Sequence, residues 1–345
     1  MSQRATVRTM SAEEIVAGAA GQTPFFHWPA RATLFAERQM RLRQLAQDHA
    51  MGDFLRFMAE IARVQHAALQ RFAEVPLPDR DALERAAQRG AAPLSAVDWP
   101  RDAAWRAELR RMAADLRSGN PAEGVRAALD AVARMSDDEL ERQADALLTG
   151  VMQGLGMATA PLVAAALQVY WTHMVLAVRE RSQRSGEAAA GAEAASQFGQ
   201  LADLTVCPCC GSRPTASLTR SAGGATGQRY LHCSLCGTQW HLESIKCARC
   251  LATEHVAYQS LEAADASEEV AAARASRVAV QAETCDDCGH YLKIMHGDRN
   301  PMVDPVADDL ATVTLDLLVS DAGKLRHGVN LMLLFGEPEA PPGAG

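Results

Sequence analysis

Apolar positions recur at spacings of three and four through the first half of the chain and then give way to short alternating runs. Over residues 33–74, Leu34, Met40, Leu42 and Leu45 are followed by Phe54, Phe57, Met58, Ile61, Val64, Leu69 and Phe72. That is the period of helices with one buried face. Asp53 is placed to cap the second helix, and Val75-Pro-Leu-Pro78 ends it. Residues 79–90 and 103–116 read as further short helices, broken near Pro93, Pro100 and Gly119-Asn-Pro121. Ser136-Asp-Asp-Glu139 is a capping box ahead of Leu140, Leu147 and Leu148. This apolar stripe predicts the core of a helical bundle, not a binding face.

Residues 146–178 contain no Asp, Glu, Lys or Arg, so a membrane-spanning helix has to be weighed. Gln153, Gly154, Gly156, Gln168 and His173 interrupt the run, many of its positions are Ala, and Pro161 divides it. A helix over residues 161–182, begun by Pro161 and buried at the centre of the bundle, is the better reading. Gly186-Glu-Ala-Ala-Ala-Gly-Ala-Glu-Ala-Ala195 is a low-complexity linker, where the helical domain (residues 1–195) is expected to end.

Beyond the linker the texture changes to strand-like runs at residues 215–218, 229–233, 239–244, 255–261 and 278–283, with a Gly-rich hairpin loop at 221–227. Residues 304–318, with Val306, Leu310, Val313, Leu317 and Leu318, predict one closing helix. Its acidic start (Asp304, Asp308, Asp309) suits the positive end of the helix dipole. The tail after Gly336 has the composition of a disordered segment.

The chain of 345 residues is long enough for two or three domains. Its net charge of -8 argues against a nucleic-acid partner. The first 21 residues lack the apolar core of a secretory signal, so a cytoplasmic protein is expected.

All nine cysteines fall between residues 207 and 288, eight of them as four CxxC pairs: Cys207/Cys210, Cys233/Cys236, Cys247/Cys250 and Cys285/Cys288. A CxxC turn aims two thiolates at one point, and two turns complete a sulfur tetrahedron around zinc or iron. Four pairs therefore predict two closed four-cysteine sites holding two metal ions. Between the first two pairs lie 22 residues with two strand signals, and between the last two lie 34, with residues 263–275 as an insertion. Chain order suggests two rubredoxin-like or zinc-ribbon modules, residues 196–246 and 247–345. Spacing alone leaves an interleaved pairing, first with third and second with fourth, open. Gly211, Gly237 and Gly289 follow three knuckles, while Leu251 follows the other; glycine lets amide N–H groups turn toward sulfur.

Cys209 is the odd thiol, read as a bystander, a substitute ligand or a reactive group. His232, Trp240, His241, His290 and His296 lie near the knuckles and are read first as packing or surface residues. No nucleophile–base pair, phosphate loop or His/Glu metal motif is evident, and a closed four-thiolate site leaves no coordination position for substrate. No catalytic or cofactor-binding residue is assigned, and a non-enzyme is expected.

Tyr230-Leu-His-Cys-Ser-Leu-Cys-Gly-Thr-Gln-Trp-His241 followed by Lys246-Cys-Ala-Arg-Cys250 resembles the core of the formate dehydrogenase accessory protein family FdhE. Glu283-Thr-Cys-Asp-Asp-Cys-Gly-His-Tyr-Leu-Lys-Ile294, Pro305-Val-Ala-Asp-Asp-Leu-Ala311, and the stretch 38–65 with Leu42, Leu45, His49, Phe54 and Leu55 are similar as well. The resemblance implies a cytoplasmic assembly chaperone that binds the catalytic subunit of respiratory formate dehydrogenase before export. It also implies iron in the rubredoxin-like sites, which sets iron beside zinc. A homodimer is a further candidate assembly. The fold expected is α+β: a helical N-terminal domain, two small metal modules and a C-terminal helix. The alternatives are a rubredoxin-like electron-transfer protein and a zinc-ribbon adaptor.

Overall fold

The computed structural model describes residues 24–184, 198, 201–222, 225–244, 246–261 and 278–333. The N-terminal segment, the 186–195 linker, the 263–275 insertion and the tail after Gly336 lie outside the described residues, as does the tip of the 221–227 loop. Strand β1 (Phe26–His27) leads into seven helices: α1 (Leu34–Leu45), α2 (Gly52–Arg71), α3 (Arg80–Gln88), α4 (Ala104–Ser118), α5 (Glu123–Arg134), α6 (Asp137–Thr149) and α7 (Ala160–Arg184). Then come β2 (Pro214–Ala222), β3 (Ala225–Cys233), β4 (Gln239–His241), β5 (Val256–Gln259), β6 (Val280–Cys285), β7 (His290–His296), α8 (Pro305–Ala311), α9 (Val313–Asp321) and β8 (Leu325–Arg326).

Some helix starts follow local cap chemistry. Asp79 and Ser136 cap α3 and α6, accepting from the backbone N–H of Ala82 and Glu139. Asp53 does not cap α2: the helix begins one residue earlier, with Met51 at the cap position and no side-chain acceptor there. Asp53 instead pairs with Arg56 at 2.6 Å, one turn on. The uncharged run forms α7, and although long and apolar enough to cross a membrane, 89% of its most apolar stretch is buried inside the protein. The other helices wrap it, so its apolar residues face neighbours on all sides.

The strands of both cysteine modules form one sheet in the order β1-β4-β3-β2-β7-β6-β5, with β8 beside β7. Each module contributes three strands (β4-β3-β2 and β7-β6-β5), and the two are joined where β2 runs parallel to β7 at Ser217↔Ile294 through Thr219↔His296. Two ribbons of limited core thus complete each other's edge. Buried Arg229 on β3 reaches Glu283 on β6 at 2.6 Å, an ion pair that ties one ribbon to the other.

The expected single closing helix is two helices, broken at Thr312 (φ -119°, ψ 34°). At the break Lys293 on β7 meets the chain, its buried Nζ donating to the carbonyls of Asp309 and Thr312 and to Thr312 Oγ1 at 2.9–3.1 Å. Asp304 does serve as the N-cap, accepting from Val306 and Ala307. Asp308 and Asp309 do more than complement the dipole. Asp308 pairs with Arg41 of α1 at 2.6 Å, and Asp309 with Lys293 and Arg326 at 3.2 and 2.7 Å. Arg41–Asp308 and Arg38–Asp304, the latter at 3.1 Å, bind the C-terminal helices to the N-terminal bundle, while the Asp309 pairs bind them to β7 and β8.

Candidate metal centres

Cys207, Cys210, Cys233 and Cys236 converge in one cluster; Cys247, Cys250, Cys285 and Cys288 form another. In each, the four sulfurs lie within 4.8 Å of one another. The grouping follows chain order, not the interleaved alternative. Closest Sγ–Sγ separations are 3.4 Å (Cys210–Cys233), 3.6 Å (Cys207–Cys236) and 3.8 Å (Cys210–Cys236) in the first cluster. They are 3.8 Å in the second, for Cys247–Cys288 and Cys250–Cys285. A tetrahedron with metal–sulfur bonds of ~2.3 Å has sulfurs about 3.8 Å apart. Both clusters therefore fit Zn²⁺ or iron, and the cysteines are free thiols, not disulfides.

The knuckles explain this convergence. Gly211, Gly237 and Gly289 sit at φ +74°, +71° and +68°, and Leu251 takes the same left-handed turn at +62°. The one non-glycine knuckle thus keeps the geometry of the rest, at a steric cost that glycine avoids. These turns direct N–H groups at sulfur: Leu235 and Cys236 donate to Cys233 Sγ at 3.4 Å, and Arg249 to Cys247 Sγ at 3.5 Å.

Electrostatics argue that the thiols alone do not settle as four anions. Burial pushes Cys207, Cys209 and Cys233 well above the ordinary thiol range. Burial also opposes ionisation of Cys236, but hydrogen bonds from Cys207, Cys209, Cys210 and Cys233 outweigh it and hold Cys236 well below that range. A bound cation would favour the ionised form of all four sulfurs. In the second cluster burial raises Cys247 to about 12 and raises Cys285. Cys288 is lowered, since the backbone N–H of His290 and the other thiols outweigh its burial.

The clusters differ in what surrounds them. All four cysteines of the first are buried; in the second, Cys250 is exposed and Cys288 half-buried. The first is capped by the helical bundle. From α7, Gln168 Nε2 donates to the Ser234 carbonyl at 2.8 Å and Thr172 Oγ1 to that of Cys236 at 3.2 Å. Gln65 of α2 holds Gln168 in turn at 2.9 Å. From the α3–α4 connection, Leu94 and Ala96 N–H groups donate to the carbonyls of Cys209 and Cys210 at 3.0 and 2.8 Å. Trp171 Nε1 closes the set on the Leu94 carbonyl at 2.9 Å. Of the polar residues interrupting the uncharged run, Gln168 reads the knuckle backbone, joined by Thr172.

Cys209 is buried beside the first cluster but is not one of its four converging sulfurs. The residues flagged near the knuckles make other contacts. Trp240 Nε1 donates to the Leu204 carbonyl at 2.9 Å, and His290 Nδ1–H to that of Cys288 at 2.6 Å. His296 Nε2 bonds Gln281 Oε1 at 2.8 Å, and His241 packs edge-on against Tyr230. His232 is buried beneath the first cluster, and burial lowers its pKa to about 4. His327, which the sequence reading passed over, lines the interior beside Cys247 and Cys285, and burial holds it near 4 too. A lone histidine 39 positions past the last CxxC carries no local signal of that placement.

Comparisons with known proteins agree along the whole described chain. Models of the FdhE N-terminal, central and C-terminal domains match residues 23–187, 206–243 and 245–333. An FdhE homolog from Serratia proteamaculans is 38% identical over 304 residues, spanning 88% of this chain and 89% of its own. One from Pseudomonas aeruginosa is 37% identical over 332 residues, spanning 95% and 99%. The crystal structure of the FdhE protein from Pseudomonas aeruginosa superposes with a TM-score of 0.73 at 35% identity, covering 91% of this chain and all of that one. Three domain models in order, relatives over nearly full length and one shared fold establish that the chain belongs to the FdhE family.

Proposed function

We propose that this protein is an assembly chaperone for respiratory formate dehydrogenase, holding the catalytic subunit in the cytoplasm until its cofactors are in place and before export. Family membership supports the reading, since the resemblance to the formate dehydrogenase accessory family implies the client. The eight CxxC cysteines are the metal ligands in this reading, four to each ion, with iron or zinc bound in closed sulfur tetrahedra. A site whose four positions are filled by protein sulfur has none left for substrate, so the protein works by binding rather than turnover.

The difference in burial assigns roles to the two sites. The first is a structural clamp between bundle and sheet. The second, open at Cys250 and Cys288, is where client contact or metal-linked redox change is accessible. Bound iron there would supply a one-electron couple.

The test is anaerobic affinity capture from the native host, with the tagged wild-type chain beside a Cys250→Ser/Cys288→Ser variant. Metal content and visible spectrum are read on each. The second-site pair is chosen because its loss leaves the capped first site intact. Formate dehydrogenase catalytic subunit on the wild type, and depleted on the variant, is the expected result. Capture of a reductase or a nucleic-acid assembly in its place, with that subunit absent from both, overturns the chaperone reading.

A further inference from the structure

A cavity of about 390 Å³ lies where the C-terminal end of α6, helix α9 and the last described residues meet, and no cysteine lines it. That is the size of a site that takes a short peptide or small ligand. Leu147, Met152, Leu317 and Leu333 form its apolar wall. Leu317 is 58% exposed at its lip, and Val151, Leu318 and Leu325, neighbours in sequence of lining residues, are exposed too. An uncovered aliphatic side chain on the lining, with others exposed beside lining residues in sequence, is the composition of an interaction surface.

The polar side of the cavity is unbalanced. Asp316 and Arg326 pair with each other at 2.7 Å and, through Lys293 and Asp309, form a neutral buried network. Arg213 also lines the cavity, and among the described residues its guanidinium has no hydrogen-bond or ion-pair partner. The site thus asks for apolar side chains followed by a carboxylate.

We propose that the cavity is a peptide-binding groove whose resident occupant is the chain's own C-terminal segment. Leu333, on the wall, is followed in sequence by Leu334-Phe335-Gly-Glu337-Pro-Glu339. Two large apolar residues are followed by two carboxylates, which suit the apolar wall and Arg213. Four residues span at most roughly 14 Å, so Glu337 is within reach of groups around the same opening. Tethering gives the segment an effective concentration on the order of millimolar, enough to hold a weak-binding sequence in place. Other polypeptides with an apolar–aromatic–acidic segment would enter the groove only by displacing it.

The experiment uses a labelled peptide of residues 333–340 and fluorescence anisotropy, with no client protein, so its outcome is independent of the formate dehydrogenase reading. The peptide is expected to bind a chain ending at Leu333, and to bind the full chain at least about tenfold more weakly. In the shortened chain Arg213→Glu should weaken binding about tenfold, and a peptide with both glutamates changed to arginine should restore it. A full-length Leu334→Asp/Phe335→Asp chain should open the groove in the same way, and decides the matter if the shortened chain does not fold. Equal binding to full and opened chains, or no binding to an opened chain that keeps its circular dichroism and metal content, overturns the proposal.

Discussion

The two cysteine clusters are built from the same turn and the same three-stranded ribbon, yet one is part of the hydrophobic core and the other is not. Cys207, Cys210, Cys233 and Cys236 belong to a core shared with Leu55, Val64, Tyr170 and Trp171 of the bundle and Val306 and Leu310 of α8. The second cluster has Cys250 in solvent and Cys288 half-buried, and its sulfurs lie outside that core although its neighbours Ala248 and Leu251 reach it. The knuckle is a local motif, and burial is imposed from outside it.

Removing ligands should break this comparison most visibly. Cys233→Ser/Cys236→Ser is expected to lose one metal equivalent and to unfold the bundle cooperatively with the sheet, because α7 is docked on that knuckle. Cys250→Ser/Cys288→Ser should lose one equivalent and leave the helical signal and its melting temperature nearly unchanged. Structural zinc contributes on the order of 10 kcal/mol to small domains, so the first effect is total. A chelator titration checks it in the intact protein: the second site should empty first. Equal release from both would erase the distinction.

The link between ribbons comes next in size. Glu283→Ala leaves Arg229 buried without its partner, which costs about 3–5 kcal/mol for a buried pair and should appear as a lowered denaturation midpoint. Burial raises the Glu283 pKa from 4.5 to about 7 against the pull of Arg229. The native state therefore binds more protons than the unfolded state between those values. Its contribution is greatest below pH 4.5 and is lost as pH rises through about 7. Glu283→Gln should flatten the stability profile across that window, with the second site still filled.

Smaller still is the cap on the first site. Gln168→Leu strands the Ser234 carbonyl and the Gln65 side chain, a loss of roughly 1–3 kcal/mol. It should speed metal release from the first cluster only. Gly237→Ala sharpens the comparison from the knuckle side. Its φ is +71°, and an added Cβ would meet Leu34 Cδ2 at 3.1 Å. The equivalent Gly289 has nothing within 4 Å, so Gly289→Ala should cost only the ~1 kcal/mol of backbone strain, measured by thermal unfolding of each variant.

Sequence by itself determined the helical first half, the capped start at Ser136, the strands after the linker and the eight thiols as four CxxC pairs. Those are set within a few residues, by periodicity, cap chemistry and CxxC spacing. It left β7 and α5 unread, because buried Lys293 and flanking histidines mask strand alternation in one and Ala-rich composition blurs the other. Tertiary structure alone decided that two ribbons make one sheet through a parallel β2–β7 pair, since the free edge of a strand carries no sequence mark of its partner. It also decided that Asp308 and Asp309 serve buried cations, and that Gln168 and Thr172 serve a knuckle some 60 residues away. Those contacts join residues far apart in the chain, and only packing, with the need of every buried polar group for a partner, brings them together.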